Sequence, residues 1–200
     1  MCPYDYTDAP PPQFDLVPHG TVATVGLHIR AGGVGEDGIL TRSKKDGGCE
    51  YLDCEITVTD GPFKGRKLWE RLILEGTTEG HAKAARVSRG TLKAILDSAF
   101  NLQPDDVSPQ ARATRTVSLG QLEGMTFIAK IGIEKGGPKA EKDGGGSWPD
   151  KNVLASVITP DRKDYHPVEQ PPPFNGGGGS ASGAATPPSS APPIPRPGWA

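Results

Sequence analysis

The chain has few cysteines, few aromatics, no long apolar run and no excess of charge of either sign. Three cysteines in 200 residues, Cys2, Cys49 and Cys54, are too few for a disulfide framework and fit a reducing compartment. No stretch of apolar residues approaches the ~18 that a transmembrane helix needs. The opening MCPYDYTDAPPPQFD carries acids and prolines where a secretory leader needs a basic and then an apolar region, so a cytoplasmic protein is expected. A net charge of −2 does not by itself point to nucleic acid or membrane, although a total can hide a local patch.

Several chemistries are missing as well. The four histidines (His19, His28, His81, His166) have no metal-ligand spacing, and Cys49 and Cys54 stand too far apart for a zinc knuckle, with no second pair behind them. The runs GGVGEDG and GGGS lack the strand–loop–helix setting and the Lys-Ser/Thr of a phosphate loop. Asp53 and Glu55, two apart on a strand, are ordinary solvated positions. No nucleophile–base pair can be assembled. The expectation is a non-catalytic protein with neither metal nor cofactor.

What the chain does have is glycine and proline, 27 and 21 residues, near a quarter of its length and at the edge of low-complexity composition. They are concentrated at the ends. Residues 1–15 read as a flexible arm. From Pro167 the sequence holds ten prolines and six glycines with almost no charge or bulky apolar residue. Such a segment cannot bury enough apolar area to offset its ordering entropy, and residues 167–200 are expected to be a disordered tail of flexible and polyproline character. Residues 16–166 remain as the folded domain.

Within that domain Ala23, Val25, Leu27 and Ile29 alternate, which predicts a strand. A Gly-rich charged loop follows. CEYLDCEITVTD alternates again, with Leu52, Cys54, Ile56 and Val58 inward and Tyr51, Asp53, Glu55 and Thr57 outward. Asp60-Gly61-Pro62 predicts a turn that Gly65 helps to close, and RKLWERLIL a third strand. Ala85, Leu92, Ile95, Leu96 and Ala99 fall at helical spacing over about 79–101. A connector leads to the strand MTFIAKIGIEK, a second Gly-rich charged loop and a last strand, NVLASVIT. Three strands, a helix and two strands is the order of the five-stranded OB-type Greek-key barrel, with its helix between strands three and four. Another small β-barrel or a split α+β sheet has to be kept beside it.

The segment YLDCEITVTDGPFKGRKLWERLIL resembles the signature of a phage-encoded family filed as domain of unknown function six-six-nine. The resemblance runs from about Leu16 to Tyr165 and takes in VPHGTV, the DGPFKGRKLW hairpin, LKAILDSAF and LEGMTFIAKIGIEK; the hairpin is its most specific element. It implies an OB-fold single-stranded-DNA-binding protein of phage or prophage replication and recombination. The implied partners are single-stranded DNA and, through the tail, phage recombinase or replication proteins. Homo-oligomers are common among such proteins, and no feature here sets a number. The ending PPIPRPGWA departs from bacterial single-strand-binding proteins, whose tails usually close on acids and an apolar pair.

A single-strand binder needs cations that track phosphates and ring faces on which bases stack. The rings are Tyr51, Phe63, Trp69, Phe127 and Trp148. Phe127 shares its phase with Met125 and Ile131 and is expected in the core. Trp69 shares a phase with Lys67 and Arg71, away from Leu68 and Leu72, and is read as outward, with a core position as the alternative. The cations form three groups: Lys64, Arg66, Lys67 and Arg71 in the hairpin, Arg42, Lys44 and Lys45 in the first loop, and Lys135, Lys139 and Lys142 in the last. Acids such as Glu36, Asp37, Glu70 and Asp143 interleave with them. The row Lys83, Arg86, Arg89 and Lys93 follows helical spacing and is read as a solvated helix face, with a DNA-tracking surface as the alternative. The proposed DNA-binding set is therefore Tyr51, Lys64, Arg66, Lys67, Trp69, Arg71, Arg42, Lys44, Lys45, Lys135, Lys139 and Trp148. The alternative function is an interaction module in which the barrel is inert toward DNA and PPPF, PPIPRP and Trp199 dock a partner.

Overall fold

Alternation in Glu50–Val58 builds the strand on which the rest of the sheet is laid. The structure, a computed structural model, describes residues 15–44, 48–139 and 145–169. The arm before residue 15, the tail from residue 170, and Lys45, Lys142 and Asp143 lie outside the described residues. Six strands form one antiparallel sheet: β1 (Val22–Arg30), β2 (Thr41–Arg42), β3 (Glu50–Val58), β4 (Lys67–Glu75), β5 (Thr126–Glu134) and β6 (Lys151–Ile158). The order is β2-β3-β1-β5-β6, with β4 on the other edge of β3. Two helices accompany it, α1 (Glu79–Ala99) between β4 and β5 and α2 (Pro109–Arg115) in the connector, followed by a 3-10 turn at Leu119–Leu122. The mostly β class and the five expected strands and helix are all present.

β1 is long enough to serve two neighbours. Val25–Arg30 pair with β3 and Val22–Gly26 pair with β5, so the two partners are staggered along it. The inward residues converge on one core in which Val25, Leu52, Cys54, Phe127, Ala129 and Ile131 have no exposed surface. Phe127 is thus core, as its phase predicts. Because every pairing along β4-β3-β1-β5-β6 is antiparallel, β4 and β6 run parallel. Their Cα atoms approach within 8 Å, yet no hydrogen-bonded ladder joins the two strands among the described residues. The sheet is therefore open by its hydrogen bonds.

Two elements lie where the sequence suggests only loop. β2 is a two-residue strand inside the first Gly-rich loop and pairs Thr41 with Tyr51 and Arg42 with Glu50. α2 starts with a readable cap, since Ser108 Oγ accepts from Ala111 N at 3.2 Å and Pro109 occupies the first turn. Its seven residues are too few to show an apolar period.

α1 begins at the N-cap Thr78, whose hydroxyl accepts from His81 N at 3.1 Å. Its C-terminal half is tied down by Asp97, only 1% exposed. The Asp97 carboxylate accepts from Lys93 Nζ at 2.7 Å and from Arg115 Nε at 2.6 Å. Arg115 also donates to the carbonyls of Gln103 and Asp106, and Lys93 to that of Pro104. One buried acid thus anchors α1, the following loop and α2. Lys93 is exposed, as expected of a solvated helix face, and also joins this network. Ser98 is buried beside it, accepting from Ile128 N at 3.0 Å through its hydroxyl and from the Tyr165 hydroxyl at 2.9 Å through its carbonyl.

Removing one member of a buried charge network leaves the others unpaired, which costs about 3–5 kcal/mol. Asp97→Ala should lose stability on that scale in urea denaturation, and a loss well under ~1 kcal/mol would show that water replaces the carboxylate freely.

Candidate nucleic-acid interface

The outward phases of β1, β3 and β4 form one continuous face. Its register is set by the ladders: Gly26, Thr57 and Lys67 make one row, His28, Glu55 and Trp69 the next, and Arg30, Asp53 and Arg71 the third. Tyr51 and Ile73 continue it toward β2. Trp69 stands 54% exposed on this face, while its neighbours Leu68 and Leu72 are buried on the other. The choice between a core and an outward tryptophan is settled by the pleat. Arg71 lies over the Tyr51 ring at 5.4 Å, a cation–π stack that keeps guanidinium and phenol together at the surface.

The turn that joins β3 to β4 is held from both sides. Val58 N donates to Arg66 O at 2.9 Å and Gly65 N to Val58 O at 2.8 Å. Gly61 and Gly65 take φ of 70° and 85°, a region that disfavours any residue with a Cβ. The Asp60 carboxylate accepts from Thr24 Oγ1 at 2.9 Å and so fastens the turn to β1. Lys64 is exposed at the tip, whereas Arg66 is half-buried at the strand entry. Phe63, a candidate stacking ring, is half-buried and packs against the core, which leaves Tyr51, Trp69 and Trp148 as the presented rings.

Most cations of this face are matched by carboxylates. Lys67 Nζ meets Glu55 at 2.5 Å and Arg30 meets Asp53 at 2.6 Å; in the opposite phase of β3, Arg42 meets Glu50 at 2.5 Å. His28 Nδ1 lies 2.6 Å from Glu123, whose other oxygen accepts from Ile29 N at 2.6 Å. The hydrogen bond from Lys67 holds the Glu55 carboxyl below its ordinary range. A carboxylate depressed in this way helps the fold at pH above that range, and the help is lost as pH falls through the depressed value. Glu70 behaves differently. It shares the inward phase of Leu68 and Leu72, and burial pushes its carboxyl upward, with Lys151 opposing and Glu134 adding to the shift. It is therefore not one of the acids on the cation face, despite its place in the sequence.

The electrostatic reach of Lys151 and Glu134 to Glu70 places the base of the β5–β6 hairpin beside the middle of β4. In that hairpin Lys135 Nζ bonds Asp150 at 2.6 Å, and Asp150 also accepts from Gly136 N at 2.9 Å. Lys139 Nζ sits 4.5 Å from the ring centroid of Trp148, which is 53% exposed. Gly136 is required here, because a Cβ would come within 1.6 Å of the Trp148 carbonyl oxygen.

Of the twelve residues expected at the site, Tyr51, Lys67, Trp69 and Arg71 share one sheet face, whereas Arg42, paired with Glu50 one residue from Tyr51, has the opposite phase. Lys64 and Arg66 stand at its turn. Lys139 and Trp148 pair with each other on the neighbouring hairpin, where Lys135 is bound at the base. Lys44 is exposed in the first loop, and Lys45 lies outside the described residues. No protein-family model, curated protein or solved structure matches the chain. Its reading rests on its own residues.

Sequence reasoning missed Arg30 and His28, although both share the outward phase of β1 that Leu27 and Ile29 define. It also missed the pairing of cations with acids, because Lys67 and Glu55 are brought together only by the hairpin register. Among the described residues no group of three or more His, Cys, Asp or Glu converges as a metal set. Burial pushes the Cys54 thiol up to about 12, which leaves it protonated and unreactive.

Leu68 and Trp69 are adjacent in sequence and opposite in space. Leu68→Ala should cost about 2–5 kcal/mol. Trp69→Ala should stay within about 0.5 kcal/mol of the parent in the same denaturation experiment. A comparable loss for both would put Trp69 in the core.

Proposed function

We propose that this protein binds single-stranded DNA, without catalysis, on the outer face of β1, β3 and β4. The observation that carries the reading is Trp69, a large ring held in solvent by a strand whose alternate residues are core. It stands one pleat from an arginine stacked on a tyrosine. Folding gains little from an exposed tryptophan flanked by Lys67 and Arg71. A nucleic-acid strand supplies what such a face lacks, bases for the rings and phosphates for the cations. Trp148 with Lys139 offers a second ring–cation pair on the adjacent hairpin. The carboxylates that match Lys67, Arg30 and Arg42 compete with phosphate, which keeps the affinity salt-sensitive and the strand exchangeable.

An OB-type barrel supports the same reading. With the two-residue β2 and the short α2 set aside, three strands, a helix and two strands, the order β4-β3-β1-β5-β6 and the parallel approach of β4 to β6 are what that barrel requires, with closure between β4 and β6. In that arrangement the β1–β3 and β5–β6 loops flank the face that carries Tyr51 and Trp69. The likeness of the hairpin to the phage family supports a place in phage or prophage DNA replication and recombination.

Oligo-dT should be retained on filters at low salt and released as salt rises, log K falling by about 0.7 per phosphate contact per tenfold salt. Trp69→Ala should weaken binding by about 1–3 kcal/mol. Absence of retention even at low salt would sink the proposal. Deleting residues 171–200 should leave the affinity unchanged; if it is lost, the tail and not the sheet carries the binding.

A further inference from the structure

Several cations of the sheet and the β5–β6 hairpin are matched by acids, and three on α1 are not, among the described residues. Lys67, Arg30, Arg42 and Lys135 each lie against a carboxylate. Lys93, at the buried end of α1, is committed to Asp97. Lys83, Arg86 and Arg89 are exposed, and no ion pair to any of them is found among the described residues. Their positive charge is not neutralised within the fold. At intervals of three residues they stay on one side of the helix and climb about 9 Å along its axis.

This row adjoins the proposed DNA face. A groove of about 400 Å³ along the seam of β4 and α1 is lined by Glu70, Arg71 and Ile73 from the strand and by Lys83, Val87 and Thr91 from the helix. Val87 is 65% exposed there, an apolar patch between cations. A separate cleft of about 640 Å³ lies on the other flank of α1, with Arg86 and Arg89 on one wall and Glu75, Gly76 and Thr77 on the other. Glu50, also at this cleft, is already bound by Arg42. Arg71 therefore belongs to both surfaces, to the Tyr51 stack and to the groove.

We infer that α1 carries a second, sequence-independent phosphate track, in which a DNA strand leaving the sheet face at Arg71 passes Lys83 and crosses the exposed side of α1 to Arg86 and Arg89. The inference rests on the reading of the sheet face as a strand-binding surface. Base stacking is confined to the sheet and the β5–β6 hairpin; the helix contributes charge alone. A short oligonucleotide is held by the rings, and only a longer one reaches the helix. Site size is thereby set by α1 as well as by the sheet.

The test is fluorescence anisotropy with the full chain and two oligo-dT probes, one of about 6 nucleotides and one of about 30, against salt. The triple variant Lys83→Ala, Arg86→Ala, Arg89→Ala changes exposed positions to a strong helix former and should melt like the parent. It should bind the long probe about tenfold more weakly, with a log–log salt slope smaller by about 2, and bind the short probe unchanged. Arg86→Lys with Arg89→Lys should keep the parental slope, since a phosphate track needs charge and not guanidinium geometry. Equal weakening of both probes, or no weakening of the long one, overturns the track while Trp69→Ala still reports on the sheet face. Failure of the parent protein to bind either probe overturns both the track and the reading beneath it.

Discussion

Everything in this molecule depends on the two-sidedness of β3. It is paired along both edges, with β1 and β2 on one side and β4 on the other, so its backbone polar groups are spent within the sheet. Only its faces are left to vary. Leu52, Cys54, Ile56 and Val58 close the core, and Tyr51, Asp53, Glu55 and Thr57 are thereby forced outward. The ladder to β4 transmits the same phase to Leu68 and Leu72 on one side and to Lys67, Trp69 and Arg71 on the other. A slip of one residue would bury the cations and expose the leucines, so the core itself holds the register of the candidate site.

That face is charged but nearly balanced. Lys67, Arg30 and Arg42 each lie against a carboxylate, at the surface, where such pairs stabilise little. Balanced charge of this kind avoids the self-repulsion that an unopposed basic surface would carry. Arg71 is held differently, by the Tyr51 ring, which orients the guanidinium without neutralising it.

α1 is anchored by a different kind of charge. Asp97 is buried; its pair to Arg115 is largely shielded from water, while Lys93 reaches it from the surface. Such a network contributes specificity of arrangement: it sets the angle of the loop after α1 and brings α2 against the helix. The outer cations of α1 are thereby held at a fixed height along the β4 seam. No helix among the described residues is long and apolar enough to cross a membrane.

Much of this was legible in residues alone. The period-two pattern of 50–58 and 67–75 named the strands and their faces, because burial on one side of a sheet selects apolar residues at alternate positions. The 3.6 period of Ala85, Leu92, Ile95, Leu96 and Ala99 named the helix for the same reason. The Asp60-Gly61 turn was readable from backbone chemistry. β2 and α2 were not, since two and seven residues carry no period. Phe63 looked like a ring for stacking until the turn folded it onto the core. The partners of the cations were beyond reach altogether. Lys67 finds Glu55, Arg30 finds Asp53 and Arg115 finds Asp97 only across strand or helix contacts, and sequence separation does not say which charges meet. Local patterning determined the elements and which way their side chains face; tertiary packing alone decided which cations are spent on carboxylates and which, on α1, are left free, because that depends on distances between segments remote in the chain.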